Sequence, residues 1–368
     1  MELIAVILLV LAVLFGEIAL YRRYGLEGLS YHCQFSSSEV TEGETLEFTE
    51  IVENDKTLPV PWLKAELTVP RWLDFPESHC VVTDQSRFVT GFFSVRGHAK
   101  VRRVWKIRCE KRGIYQVEHV ILVTSDLLGA VRLSLPASET GGTVTVLPSR
   151  FTEAGLLLPR ILRQSFGEHP VRHSICTDPC LPAGVREYVP GDPLNRMHWK
   201  ASAHAGTFLV RQEERTAQQT VTVLLALETN PADSGRMTLD TELMEHTIRV
   251  CTQCLWELCQ NGWLVRLCVG EMDAEKVSYE TRYGGGRVMY HQMLELLAAL
   301  QLERIQPMSQ LLRRGLFNRE ELSLLITPYT DAQVARWKQE IGGLVLVTGH
   351  AHDGAQCADA VVPKRKME

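Results

Sequence analysis

Between Arg186 and Glu214 the sequence reads R-E-Y-V-P-G-D-P-L-N-R-M-H-W-K-A-S-A-H-A-G-T-F-L-V-R-Q-E-E, its densest run of charge and turn chemistry. Asp192, Arg196 and Lys200 recur every fourth residue, which on a helix stacks them in one row. Two cations so placed repel by about a few tenths of a kcal/mol unless an anion lies between or beside them. Asp192 serves Arg196, and Lys200 is left looking for a carboxylate in Glu187, Glu213, Glu214 or a partner protein. Two roles fit such a row: an ion-pair network fixing a domain junction, or a docking surface. Catalysis fits less well, because Ser202 and His204 stand two apart and a helix points them away from each other.

A second group with chemical potential lies upstream: Glu168, His169, His173, Cys176, Asp178 and Cys180, spaced His-x3-His and Cys-x3-Cys. Zinc fingers and ribbons use Cys-x2-Cys or Cys-x4-Cys, so the pattern reads as a polar loop between domains, with no metal or cofactor expected. The alternative is a zinc-binding protein or metal-dependent hydrolase using His169, His173, Cys176 and Cys180, or His350 and His352 after the last strand. Cys251, Cys254 and Cys259 fall inside a helical pattern and read as small core residues.

The elements that must position the first group follow from turn chemistry. Val189-Pro190-Gly191-Asp192 is a tight turn, proline presetting φ and glycine supplying positive φ. Asp192 as N-cap, Pro193 at the first helical position and Gly206 as stop predict a helix from Pro193 to about Ala205, with Leu194, Met197, Ala201 and Ala205 facing a core. A strand over Thr207 to Gln212 follows, with Arg211 exposed.

On these residues the chain resembles the bacterial family called domain of unknown function 58, whose signature runs approximately R-x-Y-x-P-G-D-x-x-R-x-I-x-W-K-A-S-A-R and then L-x-V-R-x-x-E. Arg186, Tyr188, Pro190, Gly191, Asp192, Arg196, Trp199, Lys200, Arg211 and Glu214 occupy motif positions, while His204 stands where the family has arginine. Lys111-Arg112-Gly113-Ile114-Tyr115 and Asp126-Leu127-Leu128-Gly129 resemble two earlier landmarks of that family; as plain sequence they read as strand connectors. The resemblance implies a non-enzymatic accessory protein, acting beside a MoxR-type AAA+ ATPase and often a membrane transglutaminase-like protein, with the ten motif residues as junction or docking surface.

The rest of the chain frames this segment. With 368 residues, 45% apolar, 23% charged and a net charge of -5, it is long enough for two domains and an anchor, and it lacks the basic surface of a nucleic-acid binder. Residues 1–24 read as a single-pass membrane anchor: an apolar run from Leu3 to Leu20, no basic segment before it, and Arg22 and Arg23 after it, which puts the body on the cytoplasmic side. Ten cysteines without framework spacing agree with a reducing compartment. Residues 30–150 alternate with turns about every ten residues, predicting an immunoglobulin-like β-sandwich. A linker over 151–184 and the signature over 185–214 lead to strands alternating with helices over 215–362, an open α/β domain. The fold class is thus α+β and multidomain.

In this last region the family is similar to von Willebrand factor A domains, which hold a metal through D-x-S-x-S at the end of the first strand. Here the loop is Ala226-Leu227-Glu228-Thr229-Asn230-Pro231, so that site is expected to be degenerate, although Glu228, Thr229, Asn230, Thr327 and Asp331 still offer oxygens.

Overall fold

Period-two alternation from Ser30 onward gives each strand one apolar face, and two such faces closed on each other make a sandwich. The computed structural model describes residues 2–126, 129, 132–137, 141–151, 177–190, 194, 197–215, 220–229, 240–270, 279–305, 308–313, 322–349 and 357–362. Its contacts divide the chain into two compact units, residues 1–150 with Leu294–Leu300, and Phe151–Met293 with Gln301–Glu368.

The first unit opens with helix α1 (Glu2–Tyr24), whose apolar side chains are largely exposed and which is long and apolar enough to cross a membrane, as an anchor or a signal sequence is. Strands β1 (Leu29–Phe35), β3 (Thr45–Asn54), β8 (Ala99–Cys109) and β5 (Leu73–Asp74) form one sheet in the order β1-β3-β8-β5. A second sheet has the order β11-β10-β4-β7-β6, from β11 (Arg132–Pro136), β10 (His119–Ser125), β4 (Val60–Pro70), β7 (Ser86–Val95) and β6 (His79–Val82). The third is small, β2 (Glu39–Thr41), β12 (Thr143–Leu147) and β9 (Gly113–Gln116) in the order β2-β12-β9. Every second residue of β4 goes inward, Leu63, Ala65, Leu67 and Val69, and joins Phe48, Phe75, Leu73, Ile107 and Leu122 in one core. Apart from Ala65, each such fully buried side chain contributes about 1.5–3 kcal/mol.

The most deeply buried carboxylate of this unit is that of Glu50. Glu50 is buried, accepting from the Tyr31 hydroxyl at 2.7 Å and from the Trp105 indole N–H, and burial pushes its carboxyl above the ordinary value despite these donors and the nearby Arg103. The landmark at Arg112 is more than a connector. Its guanidinium is buried and donates to the carbonyls of Leu297 at 2.6 Å and Leu300 at 3.1 Å, closing the end of the helical stretch that groups with this unit. Terminal helix carbonyls lack partners within the helix, and a cation there also meets the negative end of the dipole. Tyr115, two residues past Gly113, braces the same turn by donating to the carbonyl of Arg112 at 2.9 Å.

In the second unit, β13 (Thr177–Glu187) pairs antiparallel with β14 (Leu209–Arg215), and helix α2 (Trp199–Ala205) lies between them in sequence. A six-stranded sheet follows, ordered β17-β16-β15-β18-β19-β20, from β15 (Thr220–Leu225), β16 (Leu264–Val269), β17 (Tyr279–Glu280), β18 (Leu322–Thr327), β19 (Leu344–Val347) and β20 (Ala360–Val361). Counted within this sheet the order is 3-2-1-4-5-6, the doubly wound arrangement, with β17 as the antiparallel edge. Helices α3 (Thr241–Gln260), α4 (Gly286–Ala299), α5 (Met308–Arg313) and α6 (Ala332–Ile341) connect its strands. α3 starts where Asp240 accepts from the Leu243 N–H at 3.0 Å, and it buries Met244, Ile248, Cys251, Leu255 and Leu258. The eight described cysteines are free thiols; burial pushes Cys259 and Cys268 up to about 11, so they are inert core groups.

Three expectations change. The helix read from Pro193 begins only at Trp199, and its N-cap is His198, not Asp192: the His198 Nδ1 accepts from the Ala201 N–H at 3.2 Å. The cause is pairing. Met197 forms an antiparallel bridge with Val210, and the His198 N–H donates to the Leu209 carbonyl at 2.8 Å, so this backbone is committed to the neighbouring strand. The stretch read as a linker over 151–184 also contains the start of β13 at Thr177, and the strand read over Thr207 to Gln212 runs from Leu209 to Arg215.

Candidate functional site

The signature segment is a short ribbon with a helix folded between its strands. Glu187 pairs with Leu209 and Arg186 with Val210, and the Tyr188 N–H extends the ladder to the Phe208 carbonyl at 2.8 Å. The Tyr188 and Phe208 rings meet edge to face with centroids 6.4 Å apart. α2 ends at Gly206, whose φ of 72° lies in the left-handed region that glycine adopts without penalty, and whose N–H donates to the Ser202 carbonyl. The Ser202 hydroxyl accepts from the Leu209 N–H at 2.8 Å, which ties α2 to β14.

This ribbon is unusual for what it leaves outside. Met197 and Val210 are buried, but Val185, Val189, Leu194, Trp199 and Phe208 are exposed, Leu194 by 65% and Trp199 by 64%. The helical spacing predicts that Leu194 faces a core; it is exposed, in a turn ahead of α2 where its carbonyl accepts from the Met197 N–H at 3.3 Å. Arg186 and Lys200, next to Val185 and Trp199 in sequence, are exposed as well, and Arg186 donates to the Glu187 carbonyl at 3.1 Å. Clusters of exposed apolar side chains rimmed by charge mark interaction surfaces.

The remaining motif positions fall as follows. Tyr188 is half-buried and Pro190 exposed, while Gly191, Asp192 and Arg196 lie outside the described residues. Arg211 and Glu214 belong to β14, with side chains outside the described set. His169, His173, Cys176, His350 and His352 also lie outside the described residues; Cys180 is in β13, its side chain undescribed. Sequence reading missed Val185, Val189 and Phe208. The available signal was apolar residues interleaved with turn and charged residues, where a solvated loop would carry polar ones.

A second place to look is the carboxyl end of the sheet, where doubly wound folds bind ligands between the first and fourth strands. Glu228, after β15, accepts from the Met308 N–H at 2.7 Å and caps α5. After β18, Asp331 Oδ1 accepts from the N–H groups of Gln333 at 2.9 Å and Val334 at 2.8 Å, capping α6. The Thr327 hydroxyl donates to the Tyr329 carbonyl at 2.9 Å, and burial together with Glu228 and Asp331 pushes the Tyr329 hydroxyl far up. Magnesium needs about six hard oxygens in octahedral array. Here one carboxylate oxygen of Glu228 and one of Asp331 are occupied as helix caps, so this loop set fits a structural role better than an ion site.

With ribbon and sheet in view, the molecule is of a class that joins a β-sandwich unit to a doubly wound α/β unit. Residues 184–315 match the model of the family described as "Protein of unknown function DUF58". No curated protein matches the chain. Among solved structures, a CARDB domain from Pyrococcus furiosus is similar at 13% identity, over 32% of this chain and 91% of that one, with a TM-score of 0.23. A non-cellulosomal cohesin from Archaeoglobus fulgidus is similar at 16% identity over 32% and 91%, TM-score 0.23. Part of Escherichia coli alpha-2-macroglobulin is similar at 15% identity over 33% and 24%, TM-score 0.24. Likeness at this level says nothing of what the chain binds.

Proposed function

We propose that this chain is a membrane-anchored, non-enzymatic accessory protein that docks a partner through its signature segment, and that the partner is a MoxR-type AAA+ ATPase. The observation that carries the reading is the exposed set of Val185, Val189, Leu194, Trp199 and Phe208 beside Arg186 and Lys200. In this reading α1 serves as the anchor, and Arg22 and Arg23 in its last turn support a body on the cytoplasmic side. The α/β unit acts as a von Willebrand factor A-like scaffold without its ion; the 3-2-1-4-5-6 strand order with an antiparallel edge and the capping use of Glu228 and Asp331 support that assignment. A transglutaminase-like membrane protein is the further partner the family resemblance suggests.

The test is co-purification of the full chain from membranes, with and without ATP and Mg²⁺, for the wild type and a Trp199→Ala, Lys200→Ala double variant. Both residues are exposed, so the variant should keep its melting temperature. Recovery of an AAA+ ATPase with the wild type and its loss with the variant is the expected result. Equal recovery by both moves docking away from the signature segment.

A further inference from the structure

We propose that the end of the β-sandwich carrying α1 is a membrane-contact surface for anionic lipid headgroups, with Trp62 and Phe92 as its aromatic anchors; this rests on the reading of α1 as a membrane anchor. α1 is not joined to the sandwich by a loose tether. Lys56 Nζ donates to the carbonyls of Gly25 at 2.7 Å and Glu27 at 2.8 Å, the Tyr21 hydroxyl donates to the Pro59 carbonyl at 3.1 Å, and the Asp55 N–H donates to the Gly28 carbonyl at 2.9 Å. These bonds hold the loop over 55–59 against the last turn of α1. A second loop is fixed to the first: the His98 N–H donates to the Lys56 carbonyl at 3.1 Å, and Asn54 Nδ2 donates to both Leu58 and Arg96 carbonyls. Gly97 passes so close that a Cβ there would meet the Thr57 carbonyl oxygen at 2.2 Å.

The geometry sets how far the sandwich can stand from a bilayer. Each interfacial layer is about 6 Å deep, half the difference between total and hydrocarbon thickness. Trp62 follows Pro59 by three residues of strand, about 10 Å. A helix leaving the hydrocarbon near Tyr24 therefore delivers the start of β4 to the headgroup region. What is found there suits that depth. Trp62 and Phe92 are exposed with ring centroids 5.9 Å apart, and the Thr124 hydroxyl pins the Trp62 carbonyl at 2.8 Å. Aromatic rings are enriched at this level because they offer an apolar body to the acyl boundary and polar edges to water. Around the same end, Arg22, Arg23 and Arg96 are exposed and Lys56 is half-buried, against the exposed acids Glu27 and Asp55. The excess is cationic, as contact with an anionic leaflet requires.

The experiment uses the full chain reconstituted into vesicles of phosphatidylglycerol and phosphatidylcholine that carry bromine on acyl carbons just below the headgroup. Flotation reads anchoring, and tryptophan emission reads contact, compared between wild type and a Trp62→Phe variant. The expected result is flotation of both, a larger fractional loss of emission for the wild type, and a smaller difference on pure phosphatidylcholine. Equal quenching of both floating proteins overturns the contact surface while leaving the anchor in place. An undiminished difference on phosphatidylcholine overturns the anionic-headgroup assignment, and failure to float overturns the anchor and this inference with it.

Discussion

At the scale of single residues, the first unit is held by polar groups that composition hides. Arg112 satisfies carbonyls of residues 297 and 300, a partnership spanning about half the chain. Its removal strands buried acceptors, so Arg112→Ala should lower stability by about 1–3 kcal/mol, read by chemical denaturation. Lysine, which lacks the fork, should restore only part of that. Glu50 gives a pH signature. Its carboxyl is held above the ordinary range by burial, so the folded state keeps a proton that the unfolded state has already released. Stability from this group is therefore present below the ordinary carboxylate value and lost as pH rises through the raised folded value. Comparing Glu50→Gln with wild type across that window should show a slope in the wild type that the variant lacks. Neither role was legible. Arg112 reads as a turn residue until its distant partner is in place, and Glu50 occupies an ordinary inward position of an alternating strand.

At the scale of elements, what was legible is what local pattern alone decides. The alternation over Trp62 to Val69 became β4, and the helical spacing of Ile248, Cys251, Leu255 and Leu258 became the buried face of α3, each element carrying its own core face. Met197 and His198, read as part of the helix after Asp192, failed for the opposite reason. Their helical spacing was real, but Met197 and His198 hydrogen-bond to β14, a tertiary choice that periodicity cannot see. The same logic predicts how the exit of α1 responds to change. Gly97→Ala drives a methyl into the Thr57 carbonyl, so it should cost about 1–3 kcal/mol, as overpacking does. Lys56→Ala should leave the sandwich folded but speed amide exchange at Asp55, whose N–H is held by Gly28. Unchanged exchange there would mean that the Lys56 bonds do not hold this junction.

At the scale of the whole molecule, one apolar helix, a sandwich unit and a doubly wound unit carry a ribbon whose exposed side chains are apolar where solvent alone would favour polar ones. The central claim is that this ribbon docks an AAA+ ATPase, and proximity tests it most directly. A photo-crosslinking amino acid is placed at position 199 of the full chain in native membranes, with a second chain labelled at the exposed position of Lys106 as reference. The account predicts an ATP-dependent adduct with an AAA+ ATPase from position 199 and none from position 106. An adduct of equal yield from both positions, or an ATPase captured only from position 106, would contradict it.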